Sequence, residues 1–151
     1  MRRKEKEILD PGDLEAILNR ATVCRLGLSM NDQPYVVPMN FAYDSHSLYL
    51  HTAPEGLKME ILRKNRLVCF EVDGGHETLP ASSACGFSMR YYSVIGFGTI
   101  HEVTDPAMKM RALTKIARKM GAGDLPMSPE DVDKVAVLRV VVERVTGKRS
   151  G

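Results

Sequence analysis

The sequence predicts a mainly β chain with helices (α+β): about six strands, with the helices set in the connections. That pattern suits a closed or partly open β-barrel better than a parallel α/β sheet. Three observations carry this. Thr22–Met30 (TVCRLGLSM) alternates with period two. The first three strand-like runs are joined by short turns, as in a meander. Helical i, i+3, i+4 spacing appears only in the segments that separate or precede such runs.

The elements follow in order. Asp10-Pro11 reads as an N-cap followed by proline at the first helical position, with Asp13 in the first turn. Leu14, Ile17 and Leu18 give that helix one apolar face. After the alternating strand, Asn31-Asp32-Gln33-Pro34 is turn chemistry and Tyr35–Tyr43 is the return strand. Pro38 inside it donates no ladder hydrogen bond, which predicts an edge, a bulge, or a place where something other than a strand lies alongside. Asp44-Ser45-His46-Ser47 is a second turn, before the strand Leu48–Thr52. Ala53-Pro54-Glu55-Gly56 leads into a short basic helix over Leu57–Asn65, and Arg66–Asp73 is again a strand. Residues 74–89 read as a long loop rich in Gly, Ser and Ala, a candidate lid. Tyr91–Val103 is a long strand, and Asp105-Pro106 opens a helix stopped by Gly121 and Gly123. A turn around Ser128-Pro129-Glu130 precedes the last strand, Val135–Val145.

A length of 151 residues, 44% hydrophobic, suits one domain over 1–151, with about 1–8 and 147–151 as flexible ends. The net charge is +2, and the excess sits in those ends, leaving a slightly acidic body. That excludes a general nucleic-acid or membrane footprint. No apolar run approaches the about 20 residues of a membrane span, and MRRKEKEILD has no apolar stretch behind its charges. Cys24, Cys69 and Cys85 are odd in number and far apart, which argues against disulfides or structural zinc and predicts a cytoplasmic protein. Cys24 and Cys69 fall on strand core faces, while Cys85 lies in the long loop.

Chemistry has three candidate locations. In HTAPEGLK a strand ends and a helix begins with Lys58 in its first turn, so free N–H groups, the Thr52 hydroxyl and a formal charge would suit an anion. A plain strand-to-helix connection with a solvated lysine reads the same residues. In PYVVPMNF an irregular strand leaves backbone groups free for a planar heteroaromatic ligand, with Asn40 as both donor and acceptor; an edge strand with a bulge is the alternative. In SVIGFG, Gly96 and Gly98 face one side of a strand, where either a neighbouring strand at a barrel bend or a ligand or partner subunit comes close. His46, His51, His76 and His101 lack metal-ligand spacing, and no nucleophile elbow or dinucleotide fingerprint is present.

The order PYVVPMNFAYD, LYLHTAPEGLKMEIL, NRLVCFEVD, CGFSMRYYSVIGFGTIHEV and a closing VTGK resembles the pyridoxamine 5′-phosphate oxidase-like flavoproteins, and within them the nitroimidazole-resistance type. The resemblance runs from about Arg2 to Gly147. It implies an FMN-binding split β-barrel that forms a homodimer with the cofactor at the subunit interface. It implies that Val36, Val37, Pro38, Met39 and Asn40 line the flavin ring and that His51, Thr52 and Ala53 sit near the ribityl chain and ring edge. Lys58 would pair with the phosphate, and Ser93, Val94 and Ile95 would arrive from the second subunit. His51 is the one catalytic candidate. The implied activity is that of an FMN-dependent oxidoreductase, nitroreductase-like, acting on a small flat electron acceptor. A flavin carrier or sensor, or a haem- or deazaflavin-binding relative, is the alternative. The chain has no Trp and lacks the Arg- and Trp-containing C-terminal segment of true pyridoxamine phosphate oxidases, which argues against that substrate.

Overall fold

The computed structural model describes residues 3–44, 46–123 and 125–151. Seven strands form one antiparallel sheet: β1 (Glu7–Ile8), β2 (Val23–Met30), β3 (Gln33–Asp44), β4 (Ser47–Thr52), β5 (Leu67–Leu79), β6 (Ser88–Glu102) and β7 (Ala136–Ser150). Their order is β1-β7-β4-β3-β2-β5-β6, and β6 also pairs with β7. That second pairing closes β2 to β7 into a six-stranded barrel and leaves β1 as a short addition on β7. Closure removes the edges that an open sheet would expose. Four helices fill the connections: α1 (Pro11–Arg20), α2 (Leu57–Lys64), α3 (Pro106–Lys119) and α4 (Pro129–Asp133). None is long and apolar enough to cross a membrane.

Strand alternation sets what lies inside. Cys24, Leu26 and Leu28, Phe41, Leu50, Val68, Phe70 and Val72, Val94 and Leu138 meet in the barrel interior, where Ile17 and Leu18 of α1 and Met59, Ile61 and Leu62 of α2 join them. A second cluster holds Ala112 and Leu113 of α3 and Val132 of α4 against Val103 and Val137. The helix ends follow the sequence signals. Asp10 accepts from the Gly12 N–H and Asp105 from the Met108 N–H, each before a proline. Gly121, at φ 91°, ends α3 with paired bonds from Gly121 and Ala122 to Arg118 and Ala117.

Several boundaries differ from the sequence reading. The turn after β2 is only Asn31 and Asp32, both at positive φ, so the return strand begins at Gln33. Of the second turn, Ser45 lies outside the described residues. The loop predicted over 74–89 is mostly sheet. β5 and β6 continue as a hairpin pairing Glu77 with Arg90 and Leu79 with Ser88, with a register shift after Gly74. The glycines hid it: Gly74 and Gly75 form an irregularity that breaks the alternation without ending the pairing. The turn at Ser128 is a single helical turn, α4, capped by the Ser128 hydroxyl. Neither end is free as predicted. Glu7 and Ile8 pair with Lys148 and Gly147, and β7 runs to Ser150 because β6 and β1 both bond to its last turns of sequence. Cys69 is half-buried and points outward between Val68 and Phe70, so only Cys24 is a core thiol; Cys85 is exposed.

Candidate functional site

The site is built from an interruption in the barrel wall. β3 pairs with β2 along its first eight residues, Gln33 to Asn40, but with β4 only from Phe41 to Asp44. Along Gln33–Asn40 the β4 side of β3 therefore has no strand. Pro38 sits within this stretch, opposite Arg25 of β2, where its missing N–H costs no ladder bond on the unpaired side. β4 parts from β3 after Leu50, so His51 and Thr52 bond only to β7, at Val137 and Ala136. The chain then turns through Ala53–Gly56 into α2.

α2 begins at Gly56, whose φ of 103° favours glycine, and no side chain caps its first N–H groups. Lys58 lies in that first turn, half-buried. Burial lowers its pKa from the usual lysine value, and no carboxylate partners it among the described residues. A desolvated cation beside uncapped helix N–H groups is an anion-favouring arrangement. The Arg63 guanidinium reaches back to donate to the Pro54 carbonyl at 3.3 Å, which brings a second cation to the same loop.

The predicted residues divide by face. Val36 and Pro38 point outward and are exposed, and Asn40 is half-buried on the same face. Val37 packs on the core and Met39 is inside it, so these two offer a ligand only backbone. The Asn40 amide is already in use, donating to the Thr22 carbonyl at 3.3 Å, which leaves its oxygen free. His51 and Ala53 are exposed and Thr52 is buried. Val94 is a core residue, whereas Ser93 and Ile95 face outward on β6. Two strands, β2 and β5, separate them from β3. One chain thus brings residues 36–40, 51–53 and Lys58 around one opening, but not Ser93–Ile95.

The two glycines of SVIGFG are explained within the chain. A Cβ on Gly96 would overlap the buried Phe70 ring, and one on Gly98 would overlap the Val141 carbonyl, where β6 and β7 shift register. Both face inward, so the barrel bend needs them.

Two features escaped the sequence reading. Arg25 donates to Glu71 at 3.1 Å and Asp73 at 2.5 Å, and Asp73 also meets His76 at 2.9 Å. Burial and then Asp73 raise the Glu71 carboxyl above its usual range, with Arg25 opposing them. The signal was available: strand alternation sends Arg25, Glu71 and Asp73 to one outer face. That face also exposes Val23, Val36, Leu67, Ile95 and Phe97, an apolar area large enough to mark a contact surface. The second is a groove along β6 and β7, described below. Among the described residues no group of three or more His, Cys, Asp or Glu comes together as a metal site.

Comparison with known proteins gives a consistent result. A family model described as pyridoxamine 5′-phosphate oxidase matches residues 10–149. A candidate 5-nitroimidazole antibiotic resistance protein from Bacteroides thetaiotaomicron is 36% identical, with a TM-score of 0.85 over 95% of this chain and 86% of that one. Two more distant structures share the fold. One is the flavocytochrome Anf3 from Azotobacter vinelandii, at 21% identity and TM-score 0.86, covering 100% of this chain and 72% of that one. The other is an FAD-binding protein from Mesorhizobium loti, at 24% identity and TM-score 0.71, covering 95% and 96%. The alignments to curated relatives span only 18% and 60% of those proteins' lengths.

Proposed function

The chain belongs to the pyridoxamine 5′-phosphate oxidase family, and on that premise we propose that it is an FMN-dependent oxidoreductase reducing a small flat electron acceptor. The carrying observation is the unpaired stretch of β3 beside Lys58, a half-buried cation with no carboxylate partner. The residues fit the cofactor. A phosphate suits the start of α2 and Lys58. A planar ring suits the open β3 side, where backbone groups and the Asn40 oxygen can accept or donate in one plane. The resemblance to a nitroimidazole-resistance protein favours nitro groups among the acceptors.

In this reading FMN supplies the redox chemistry when bound, and the protein supplies position and protons. Val36 and Pro38 hold the ring by its face and edge, while Thr52 and Ala53 border the ribityl chain. His51, exposed at the end of β4, carries an imidazole N–H that can be delivered to the acceptor. Ser93 and Ile95 come from a second copy, because their own chain keeps them two strands away from β3. The exposed apolar residues of that outer face are the surface such a homodimer would cover.

The test is direct. Purified protein is expected to carry visible flavin absorption, with FMN identified by the mass of the released ligand. A colourless protein that takes up no added FMN overturns the proposal, and a haem or deazaflavin spectrum would replace the cofactor. Lys58→Ala should weaken FMN retention by about 10–100-fold, the range for losing a charge-assisted bond. Unchanged affinity would remove Lys58 from the phosphate site. Anaerobic turnover with reduced nicotinamides and nitroaromatic or quinone acceptors separates an enzyme from a flavin carrier.

A further inference from the structure

We propose that the groove along the outer face of β6 and β7 binds the acid group of a flat, anionic aromatic acceptor. It encloses about 380 Å³ and is lined by Ser93, Ile95, Phe97, Arg144, Thr146 and Lys148. These six form three cross-strand pairs: Ser93 with Lys148, Ile95 with Thr146, and Phe97 with Arg144. Neighbours on one sheet face stand close enough to act on one ligand.

The chemistry of the lining is specific. The Arg144 guanidinium lies 4.5 Å from the Phe97 ring centre and the Lys148 amine 5.4 Å from that of Tyr91. Neither cation has a carboxylate partner among the described residues. The nearby acids are committed elsewhere. Glu143 accepts from the Thr99 hydroxyl at 2.6 Å, and Asp73, opposite Ser93, is held by Arg25 and His76. Two unneutralised cations, two hydroxyls and the apolar sides of Ile95 and Phe97 therefore face one volume. An aromatic ring would pack against the apolar pair while its carboxylate meets Arg144 and Lys148. The size suits a one-ring ligand.

The position of this groove against a redox centre rests on the FMN reading above, since Ser93 and Ile95 are the residues assigned to the partner's cofactor. The groove's preference for an anion does not. The experiment compares 4-nitrobenzoate with 4-nitrobenzamide, which share ring and nitro group and differ in charge. Binding to the protein as purified is measured by calorimetry, with FMN content determined on each sample. The wild type should bind the benzoate about tenfold more tightly, and added salt should erode the difference. Arg144→Gln and Lys148→Gln, which retain part of each aliphatic stem, should each reduce the preference, and the double variant should abolish it with FMN content unchanged. Equal binding of the two probes by the wild type overturns the proposal. So does a double variant that keeps the preference, or one that loses FMN instead. Protein that never takes up FMN overturns the functional reading alone, and the same probe pair then judges the groove.

Discussion

Gly96→Ala tests whether the glycines of β6 serve the barrel or a ligand. A methyl group at this position would have three Phe70 ring atoms within 3.0 Å, and Phe70 is fully buried. Two effects oppose each other. Replacing glycine reduces the entropy of the unfolded chain and would stabilise by about 0.4–1 kcal/mol where the site tolerates it. Overpacking a filled core costs about 1–3 kcal/mol, because a ring enclosed on all sides has nowhere to move. Overpacking wins, for a net loss of about 1–2 kcal/mol. In a chain of this size that lowers the melting temperature by roughly 2–8 °C. Thermal and urea unfolding followed by circular dichroism measure it. Phe70→Leu in the Gly96→Ala background provides the control. It should cost less there than alone, with a coupling of about 0.5–3 kcal/mol between the two sites. Unchanged stability in Gly96→Ala, accompanied by loss of cofactor uptake, would refute the packing argument and return the glycine to a ligand.

Two further outcomes follow from buried groups. Lys119 donates to the Leu18 carbonyl at 2.7 Å and lies 3.7 Å from the Phe41 ring centre, and burial pulls its pKa down to about 8. The unfolded chain keeps a lysine proton up to about pH 10.4, so between these values it binds more protons than the fold. Stability should therefore rise with pH from about 8 to 10.4 relative to Lys119→Met; a flat or falling difference in urea unfolding would contradict this. Among the thiols, burial raises Cys24 to about 12, whereas Cys85 is exposed. A maleimide on native protein should label Cys85 first and Cys24 only on unfolding, with mass spectrometry reading the sites; early Cys24 labelling would contradict the core assignment.

The sequence was most legible where one period ran uninterrupted. The alternation over Val23–Met30 and the Asp-Pro openings of α1 and α3 gave elements that the structure places within a residue or two. It was least legible where pairing depends on a distant strand. Gly74 and Gly75 look like the start of a loop, because only the partner residues Arg90 to Tyr92 hold the bulged hairpin together. Gly147–Ser150 looks like a tail, because its order comes from Tyr91–Val94 and from Glu7–Ile8. The site shows the same division. Pro38 announced an interrupted strand locally, whereas the Asn40 amide could not be known to bond Thr22. The Arg25 network and the Arg144–Lys148 groove needed the register of three or four strands before their members became neighbours.

That register also bears on why the family site would need two chains. Pro38, Arg25, Glu71 and Ile95 occupy successive positions in one cross-strand row. At about 4.8 Å per strand, Ile95 stands roughly 14 Å from Pro38 around a curved wall, and both point outward. No side-chain rotation closes that gap, and folding the wall inward would expose the buried Leu26 and Phe70 of the intervening strands. A second copy related by a two-fold axis can supply what the first cannot. Its β6 can face the open side of the first chain's β3, while the apolar outer residues of both are covered together. The charged row in the middle of that face then has a purpose beyond solubility. Arg25 with Glu71 and Asp73 is an internally satisfied group, so it can be covered by a partner without leaving a lone charge behind.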